Sequence, residues 1–373
     1  MNIAIVCYPT FGGSGVLATE LGKALADTGH NIHFITYQQP VRLSGFHANI
    51  FYHEVRVPTY PLFDYPPYET ALASTMVDVV NNHDIDILHV HYAIPHAAAA
   101  YMAKQILAKQ NKKIPVITTL HGTDITLVGR DKTYSPVVTF SMEESDVLTA
   151  VSNNLKEETY RNFAITKPIE VIYNFVDVAR FNKKPVDAFK KLIAPNGERI
   201  IVHASNFRKV KRVDDVLQTF ILLNKTIPSK LLLIGDGPER VRLEQLTREC
   251  ECGLEIKFLG KQEQMEDILP IADLFLLPSE YESFGLAALE AMAAEVPVIS
   301  TNAGGLPEIN INGYCGYMSN IGDVEDMSRN AISILKDEAT FQTFKANALT
   351  QAKKFDIQNI VPIYERLYER LMG

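Results

Sequence analysis

A buried strand is predicted by the apolar run Asn2-Ile-Ala-Ile-Val-Cys7, which leads through the glycine loop Gly12-Gly-Ser-Gly15 into a helix over Val16 to Asp27. A strand-to-helix turn of this kind lets backbone amides and the Ser14 hydroxyl converge on a ligand. The loop lacks the register of the dinucleotide fingerprint G-x-G-x-x-G and the lysine of a phosphate-binding P-loop. Taken alone, it is equally well interpreted as a ligand-binding loop or as a tight turn.

Further short apolar strands continue this pattern along the chain. They are predicted at 32–36, 85–90, 116–120 and 147–151 in the first half, and at 199–204, 230–234, 256–259, 274–277 and 297–300 in the second. Continuous apolar strands that alternate with helices indicate parallel sheets buried on both faces. The expected fold is α/β, with two facing Rossmann-like, doubly wound domains and a ligand cleft between them at the carboxyl ends of the strands.

The chain of 373 residues has the length of two ordinary domains. A linker is indicated between the two series of strands, where Asn182-Lys-Lys-Pro185 and Pro195-Asn-Gly197 have turn composition. We therefore expect an N-terminal Rossmann-like domain at 1–174, a linker at 175–198, a C-terminal Rossmann-like domain at 199–355, and a C-terminal helix at 356–373 that packs back on the N-terminal domain.

Composition excludes several classes of function. Hydrophobic residues make up 47% of the chain and charged residues 21%, as in a soluble globular protein. The net charge of -8 disfavours nonspecific binding to nucleic acid. The four cysteines (Cys7, Cys250, Cys252 and Cys315) are too few and too irregularly spaced for a disulfide framework or a zinc knuckle, which favours a reducing cytoplasm. No apolar run is long enough to span a bilayer, and we expect no stable membrane association.

The most informative segment is Glu282-Ser-Phe-Gly-Leu-Ala-Ala-Leu-Glu290. It places one carboxylate before a helix and a second inside it, and the Ser-Phe-Gly turn leaves backbone N–H groups free to face a ligand. A helix N-terminus attracts a diphosphate, and carboxylates accept hydrogen bonds from sugar hydroxyls. The segment therefore predicts a site for a sugar nucleotide.

Polar residues cluster where two strands of the first half end. The cluster contains His89, His91 and Tyr92 at one strand end, and Thr119, His121 and Thr123 at the next. We interpret His89 as a core histidine, and we expect one of His91 and Tyr92 to point inward because strand side chains alternate. His121 is interpreted as functional, because a glycine follows it at a strand end. The histidines have neither H-E-x-x-H spacing nor cysteine partners, so we expect no metal site.

A basic run, Asn206-Phe-Arg208-Lys209-Val-Lys211-Arg212, follows the first strand of the second half. A charge run is by default a solvated surface, but the position of this one at a strand end indicates that some of its side chains face the cleft. We assign Arg208 and Lys211 to a diphosphate, because cationic donors stabilise charge on a leaving phosphate. Lys209 and Arg212 are expected to face solvent.

These residues resemble a known family. The glutamates at 282 and 290, with Ser-Phe-Gly-Leu after the first, resemble the E-x7-E signature of retaining glycosyltransferases of the GT-B fold, glycosyltransferase family 4. The segment Asn302-Ala-Gly304-Gly305-Leu-Pro307-Glu308 resembles the glycine-proline-glutamate segment of that family. The resemblance covers essentially the whole chain.

Longer tracts resemble those family members that join N-acetylglucosamine, from UDP-N-acetylglucosamine, to the hydroxyl of L-malate at the start of bacillithiol biosynthesis. The tracts are Cys7-Tyr-Pro9, Gly12-Gly-Ser-Gly15, Tyr65-Pro-Pro-Tyr68, His91-Tyr-Ala-Ile-Pro-His96, Thr119-Leu-His-Gly-Thr-Asp-Ile125, Tyr173-Asn-Phe175 and the basic run. The resemblance therefore implies a retaining glycosyltransferase with these two substrates and with no metal or other cofactor.

The resemblance also implies a role for each matching residue. The implied catalytic residues are His121, Arg208, Lys211 and Glu282; the donor-binding residues are Gly13, Gly15, Asn206, Ser283, Phe284, Gly285, Leu286 and Glu290; and the acceptor-binding residues are Ser14, Tyr92, Thr119, Thr123 and Asn174. Within this set, Glu290 would hold the nucleotide ribose and Glu282 a hydroxyl of the donor sugar.

Retention of configuration by a double displacement would require a carboxylate at the anomeric carbon. Both glutamates are assigned to hydroxyl binding, so we expect attack on the face from which the diphosphate leaves. Two alternatives stay open: a family 4 enzyme with another acceptor, such as an inositol phosphate, a sugar or a lipid, and a noncatalytic UDP-sugar-binding protein. The oligomeric state also stays open, with a homo-oligomer among the alternatives.

Overall fold

The structure is a computed structural model, and it describes residues 1–10, 12–57, 64–127, 129, 131–182, 187–250 and 252–373. The chain divides into two compact units. Unit 1 consists of Met1–Asn174 and Gln358–Gly373, and unit 2 consists of Phe175–Ile357.

Unit 1 is built on a parallel sheet of seven strands. The strands are β1 (Asn2–Val6), β2 (Asn31–Thr36), β3 (Ile50–Glu54), β4 (Ile87–His91), β5 (Val116–Leu120), β6 (Val147–Ala150) and β7 (Ile169–Val171). They lie in the order β3-β2-β1-β4-β5-β6-β7. The connecting helices are α1 (Gly13–Asp27), α2 (Tyr68–Asn82), α3 (Ala98–Lys109), α4 (Ser135–Glu144) and α5 (Asn153–Asn162).

Unit 2 repeats this plan with a parallel sheet of six strands. The strands are β8 (Arg199–Ala204), β9 (Ser229–Ile234), β10 (Ile256–Gly260), β11 (Leu274–Leu277), β12 (Val298–Thr301) and β13 (Gly316–Ser319), in the order β10-β9-β8-β11-β12-β13. Its helices are α6 (Val178–Phe181), α7 (Asp187–Ile193), α8 (Val213–Asn224), α9 (Arg240–Arg248), α10 (Met265–Ile268), α11 (Leu286–Ala293), α12 (Leu306–Ile309), α13 (Val324–Leu335) and α14 (Glu338–Ala352).

The last helix, α15 (Ile357–Met372), contributes residues from 358 onward to unit 1. Residues 175–198, predicted as a linker, are grouped with unit 2, and α6 and α7 lie in this segment. Residues 183–186 of the predicted linker lie outside the described residues. In the part of the chain that the structure describes, no helix combines the length and apolar character needed to cross a membrane.

The central strands are buried because their side chains are apolar on both faces. In β1, for example, Ile3 to Val6 are fully buried between helices, as expected for a parallel sheet covered on both sides. The apolar pattern does not predict β3, β7 or β13. All three are edge strands. β3 is largely exposed, and β7 and β13 have only three and four residues, so each gives a weak pattern. The predicted fold class of two doubly wound α/β domains is confirmed.

In each sheet the strand order reverses at one point, between β1 and β4 in unit 1 and between β8 and β11 in unit 2. Loops that leave such adjacent strands in opposite directions open a crevice at the carboxyl ends of the strands, where doubly wound folds bind ligands. The residues that follow these four strands are therefore the candidates for function.

Candidate active site

Ser14 and Tyr92 meet where β1 and β4 end. Their hydroxyl oxygens are 2.6 Å apart, within hydrogen-bond distance, and the ring of Tyr8 lies edge-on to that of Tyr92 with centroids 5.4 Å apart. A Cβ atom on Gly15 would lie 2.4 Å from the carbonyl oxygen of Tyr8, so glycine is required for α1 to start this close to the strand end. The structure thus brings two predicted acceptor residues together at the point of reversal.

The N-terminus of α1 favours an anion. Gly12 precedes the helix without a capping side chain, and the first turn contains no acidic residue. The amide groups of a first helical turn and the helix dipole together attract negative charge. The predicted donor residues Gly13 and Gly15 lie in this turn, and so does Ser14.

Tyr92 has an unusual backbone conformation. Its φ is +84°, in a region that residues with bulky side chains rarely adopt. Its N–H donates to the carbonyl oxygen of Thr119 over 2.9 Å, which ties the end of β4 to β5. Such strain costs about 1–3 kcal/mol and tends to occur at functional sites.

His89 is a core histidine, as predicted. It is fully buried, and its Nδ1 and Nε2 atoms lie 2.8 Å from the Tyr368 hydroxyl and 2.7 Å from the Thr119 hydroxyl. Burial lowers the pKa of His89 to about 3, so the ring is neutral. The Thr119 hydroxyl also lies 2.7 Å from that of Thr149. Thr119, predicted to bind the acceptor, therefore has its hydroxyl engaged in the interior of unit 1.

His91 and His121 form a second buried pair. His91 Nδ1 and His121 Nε2 are 2.8 Å apart, and His91 is only 2% exposed, which confirms that one of His91 and Tyr92 points inward. Burial lowers the pKa of His91 well below its usual value and that of His121 to about 3. The His121 ring also lies beside that of Tyr92, with centroids 5.1 Å apart. The predicted catalytic histidine therefore neighbours the Ser14 and Tyr92 pair.

Asp124 holds the loops after β4 and β5 together. Its Oδ2 accepts the Ala93 N–H over 2.9 Å, and its Oδ1 accepts the Gly122 N–H over 3.0 Å. Burial raises the pKa of Asp124 to about 6, although these donors favour the ionised form. Thr123 is exposed in the same turn, and Asn174 is 9% exposed. Acceptor binding by Thr123 and Asn174 stays a prediction.

In unit 2, the loop after β11 carries the first glutamate of the E-x7-E segment. Glu282 Oε1 accepts hydrogen bonds from Lys211 Nζ over 2.5 Å and from Ser279 Oγ over 2.9 Å. The side chains of Lys211 and Glu282 are 18% and 14% exposed, so the ion pair is partly shielded from water. The loop after β8 and the loop after β11 thus meet through two predicted catalytic residues.

The glycines after β12 support the Glu282 backbone. The Gly305 N–H donates to the Glu282 carbonyl oxygen over 2.8 Å. A Cβ atom on Gly304 would lie 2.0 Å from that same oxygen, and Gly304 has a φ of +60°. Only glycine combines this conformation with so close a backbone approach. The segment from 302 to 308 therefore fixes the position of the glutamate loop.

Helix α11 begins directly after this loop. Gly285 precedes it with a φ of +97°, no side chain caps the N-terminus, and the first turn contains no acidic residue, so the amide groups favour an anion. Phe284 is 1% exposed and can present only its backbone to a ligand. Ser283 and Leu286 are half-buried. Glu290, one turn into the helix, is 8% exposed.

The basic run after β8 divides into exposed and paired residues. Asn206, Arg208 and Lys209 are exposed. Arg212, predicted to face solvent, is instead held by Asp215 in the first turn of α8, with 2.6 Å between Arg212 Nε and Asp215 Oδ2. Since Arg212 is neutralised by that carboxylate, Arg208 is the more accessible guanidinium of the run.

Ser279 is a neighbour of the site that the sequence patterns do not single out. It has a positional signal, because it lies two residues after β11, but it belongs to no recognisable motif. Tyr8, between β1 and the glycine loop, lies in the tract Cys7-Tyr-Pro9 that carries the resemblance. Within the described ranges, no group of three or more histidine, cysteine, aspartate or glutamate side chains is arranged to hold a metal ion.

Comparison with known proteins agrees with this geometry. Residues 11–180 match the family described as Glycosyltransferase Family 4, and residues 186–351 match Glycosyl transferases group 1. The N-acetyl-alpha-D-glucosaminyl L-malate synthase of Bacillus anthracis is 46% identical over 370 residues, covering 99% of this chain and 96% of that protein.

Solved structures show the same fold. The Anabaena protein HepE, crystallised with UDP and glucose, superposes with a TM-score of 0.82 at 18% identity. The superposition covers 100% of this chain and 100% of that one. The sucrose-phosphate synthase of Thermosynechococcus elongatus gives a TM-score of 0.80 at 22% identity and covers 100% of this chain and 99% of that one. These likenesses confirm the predicted GT-B fold. The family matches and the 46% identical relative establish that the chain is a glycosyltransferase of family 4.

Proposed function

We propose that this chain transfers N-acetylglucosamine from UDP-N-acetylglucosamine to the hydroxyl of L-malate and forms N-acetyl-alpha-D-glucosaminyl L-malate. The observation that carries the proposal is the 46% identity to a synthase of that product, over nearly the full length of both chains. The geometry within each unit supports it, because one unit offers groups suited to a sugar nucleotide and the other offers groups suited to a small hydroxy acid.

Apart from the predicted donor residues Gly13 and Gly15 in the first turn of α1, the donor groups lie in unit 2. The N-terminus of α11 would receive the diphosphate, with Arg208 and Lys211 adding positive charge. An ammonium group has three donors, so Lys211 can keep its bond to Glu282 Oε1 and still donate to a phosphate oxygen. Glu282 retains acceptor capacity for a sugar hydroxyl, and Glu290 would accept from the ribose.

The acceptor groups lie in unit 1. L-malate carries two carboxylates and one hydroxyl, and the N-terminus of α1 provides amide groups and a positive dipole end for a carboxylate. The Ser14 and Tyr92 hydroxyls are 2.6 Å apart, so one donates to the other, and the accepting hydroxyl can donate its own proton to a carboxylate oxygen. The interior position of the Thr119 hydroxyl gives that residue a supporting role, through its bond to His89.

The reaction would proceed on one face of the sugar. The bond between the anomeric carbon and the β-phosphate oxygen breaks, and a bond from that carbon to the malate oxygen forms on the same side. The malate proton passes to the leaving phosphate oxygen, so no protein base is needed. The protein contributes orientation, which supplies up to about 7–11 kcal/mol, and stabilisation of the diphosphate charge.

The decisive experiment is product analysis. The purified protein is incubated with UDP-N-acetylglucosamine and L-malate without added metal, and the product is identified by mass spectrometry and by the anomeric proton coupling in its NMR spectrum. An α-linked malate glycoside supports the proposal. Turnover with inositol phosphate, a sugar or a lipid but not with malate would show that the acceptor is that compound and not malate. Binding of UDP-N-acetylglucosamine without any transfer would indicate a noncatalytic protein.

The diphosphate role of Lys211 has a matched control in the same run. Lys211→Met should lower kcat by about 100-fold to 1,000-fold, because removal of one aimed donor typically costs about 2.7–4 kcal/mol. Lys209→Met makes the same change at an exposed neighbour and should leave kcat nearly unchanged. Equal kcat values for the two variants would show that Lys211 has no role in the reaction.

A further inference from the structure

The parallel sheet of unit 1 brings the buried histidines His91 and His121 together. β4 and β5 are parallel neighbours, with His91 in register with Thr119, so His121 follows β5 directly beside the end of β4. The two rings are stacked, with centroids 5.0 Å apart and an interplanar angle of 26°. His91 is the last residue of β4 and His121 directly follows β5, so the 2.8 Å contact between His91 Nδ1 and His121 Nε2 joins the ends of two neighbouring strands.

The protons of the pair can be counted. Each ring is neutral, because burial lowers both pKa values, and a neutral imidazole carries one N–H. The contact between the two rings holds one proton, so two arrangements exist. Either His91 donates through Nδ1 and the His121 proton lies on Nδ1, or His121 donates through Nε2 and the His91 proton lies on Nε2.

The surroundings of His91 distinguish the two arrangements. Its Nε2 atom is buried and has no hydrogen-bond partner among the described residues. If His121 were the donor, this atom would be a buried N–H without an acceptor, which is rare in folded proteins. If His91 is the donor, Nε2 carries only a lone pair, and His91 has no unsatisfied N–H group.

We propose that His91 is a positioning residue that holds His121 in the tautomer with its proton on Nδ1, so that His121 acts as a neutral hydrogen-bond donor. The inference rests on the proposed function and on the catalytic role that the family resemblance implies for His121. A neutral donor of fixed direction suits a sugar hydroxyl or phosphate oxygen and does not compete for the proton that malate gives up. His91 reaches the substrate only through His121.

Nitrogen NMR of the histidine-labelled protein tests the tautomer without any substrate. His121 should show a protonated Nδ1 and an unprotonated Nε2 when the protein is unliganded. The reverse pattern would overturn the proposal. Because no turnover is measured, this result is independent of whether malate is the acceptor, whereas failure of the product assay would count against the proposed function alone.

Substitutions at His91 then test the effect on the reaction. In His91→Asn the side-chain amide can replace the Nδ1–H donor, and kcat should stay within about threefold of the parent value. His91→Phe keeps a ring but removes the donor, and kcat should fall about tenfold or more while the KM for malate changes less than twofold. Circular dichroism of both variants verifies folding, and equal losses of kcat in two folded variants would refute donation by His91.

A double-mutant cycle tests whether His91 acts through His121. In a His121→Ala background, His91→Phe should cause no further loss of kcat, because the residue that it positions is absent. A further loss as large as in the parent protein would show that His91 has another role. The His91→Asn variant in the same background serves as the control, with an unchanged kcat expected.

Discussion

Mild acid should destabilise unit 1 much more than unit 2. The polar network of unit 1 buries His89, His91, His96 and His121, and burial lowers each pKa, to about 3 for His89, about 4 for His96 and about 3 for His121. In the unfolded chain these imidazoles take up protons below a pH of about 6.5. Their contribution to stability is therefore complete above pH 6.5 and is lost as the pH falls toward the folded pKa values.

The size of the effect follows from these shifts. Between pH 7 and pH 5.5, a histidine that stays neutral only when folded loses about 1.2 kcal/mol of stabilising free energy, so the four lose about 5 kcal/mol together. Asp124 acts in the opposite direction, because its pKa is raised to about 6 and it takes up a proton more readily when folded. It returns about 0.8 kcal/mol over the same range, which leaves a net loss of about 4 kcal/mol from these five groups. Burial also lowers the pKa values of His33 and His53, and both add to the loss in unit 1.

Unit 2 provides the internal comparison. His203 is fully buried, and burial lowers its pKa to about 4, so this residue costs unit 2 about 1.2 kcal/mol over the same pH change. Hydrogen exchange with mass spectrometry, measured at both pH values and corrected for intrinsic rates, reports each unit separately through peptides from β4 and β5 and from β8 and β11. His96→Gln should reduce the pH-dependent loss in unit 1 by about 1.2 kcal/mol, and His203→Gln should affect only unit 2. Equal losses in the two units, or a loss in unit 1 below about 1 kcal/mol, would refute the reasoning.

Two substitutions test the supports of the site. Gly304→Ala should weaken UDP binding about tenfold or more in calorimetric titration, because its Cβ would lie 2.0 Å from the Glu282 carbonyl oxygen. Gly197→Ala is the control, because Gly197 also has a positive φ but a Cβ there would meet no atom within 4 Å. An equal loss of UDP binding in both variants would contradict the supporting role of Gly304. Tyr368→Phe should lower the free energy of unfolding by about 1–3 kcal/mol in urea titrations at pH 7, because it leaves the buried His89 Nδ1 without its partner. An unchanged midpoint would show that the bond contributes nothing.

The fold was predictable from the sequence for the strands that are buried on both faces, because such strands need a run of apolar residues. β1 and β11 have apolar residues on both faces, so a run of hydrophobic letters identifies them. β3 lies at a sheet edge with its residues largely exposed, and its position is set by pairing with β2. Pairing is a tertiary property, and no local periodicity reports it.

The candidate site was predictable to the level of loops and not of contacts. Glycines, histidines and glutamates at strand ends give the places where chemistry is expected. Which groups are engaged elsewhere depends on partners distant in sequence, as in the bond between His89 and Tyr368, 279 positions apart. For the same reason the interior bonds of Thr119 to His89 and to Thr149, each 30 positions away, require the structure.

The return of α15 to unit 1 has a consequence for synthesis of the chain. Unit 2 is a continuous stretch, Phe175–Ile357, whereas unit 1 needs both Met1–Asn174 and Gln358–Gly373. Domains generally fold as units while the ribosome is still translating. Unit 2 can therefore complete its fold before Tyr368 is available to bond with the buried ring of His89. The unit that begins to emerge first is therefore the one that finishes folding last, and its interior is incomplete during that interval.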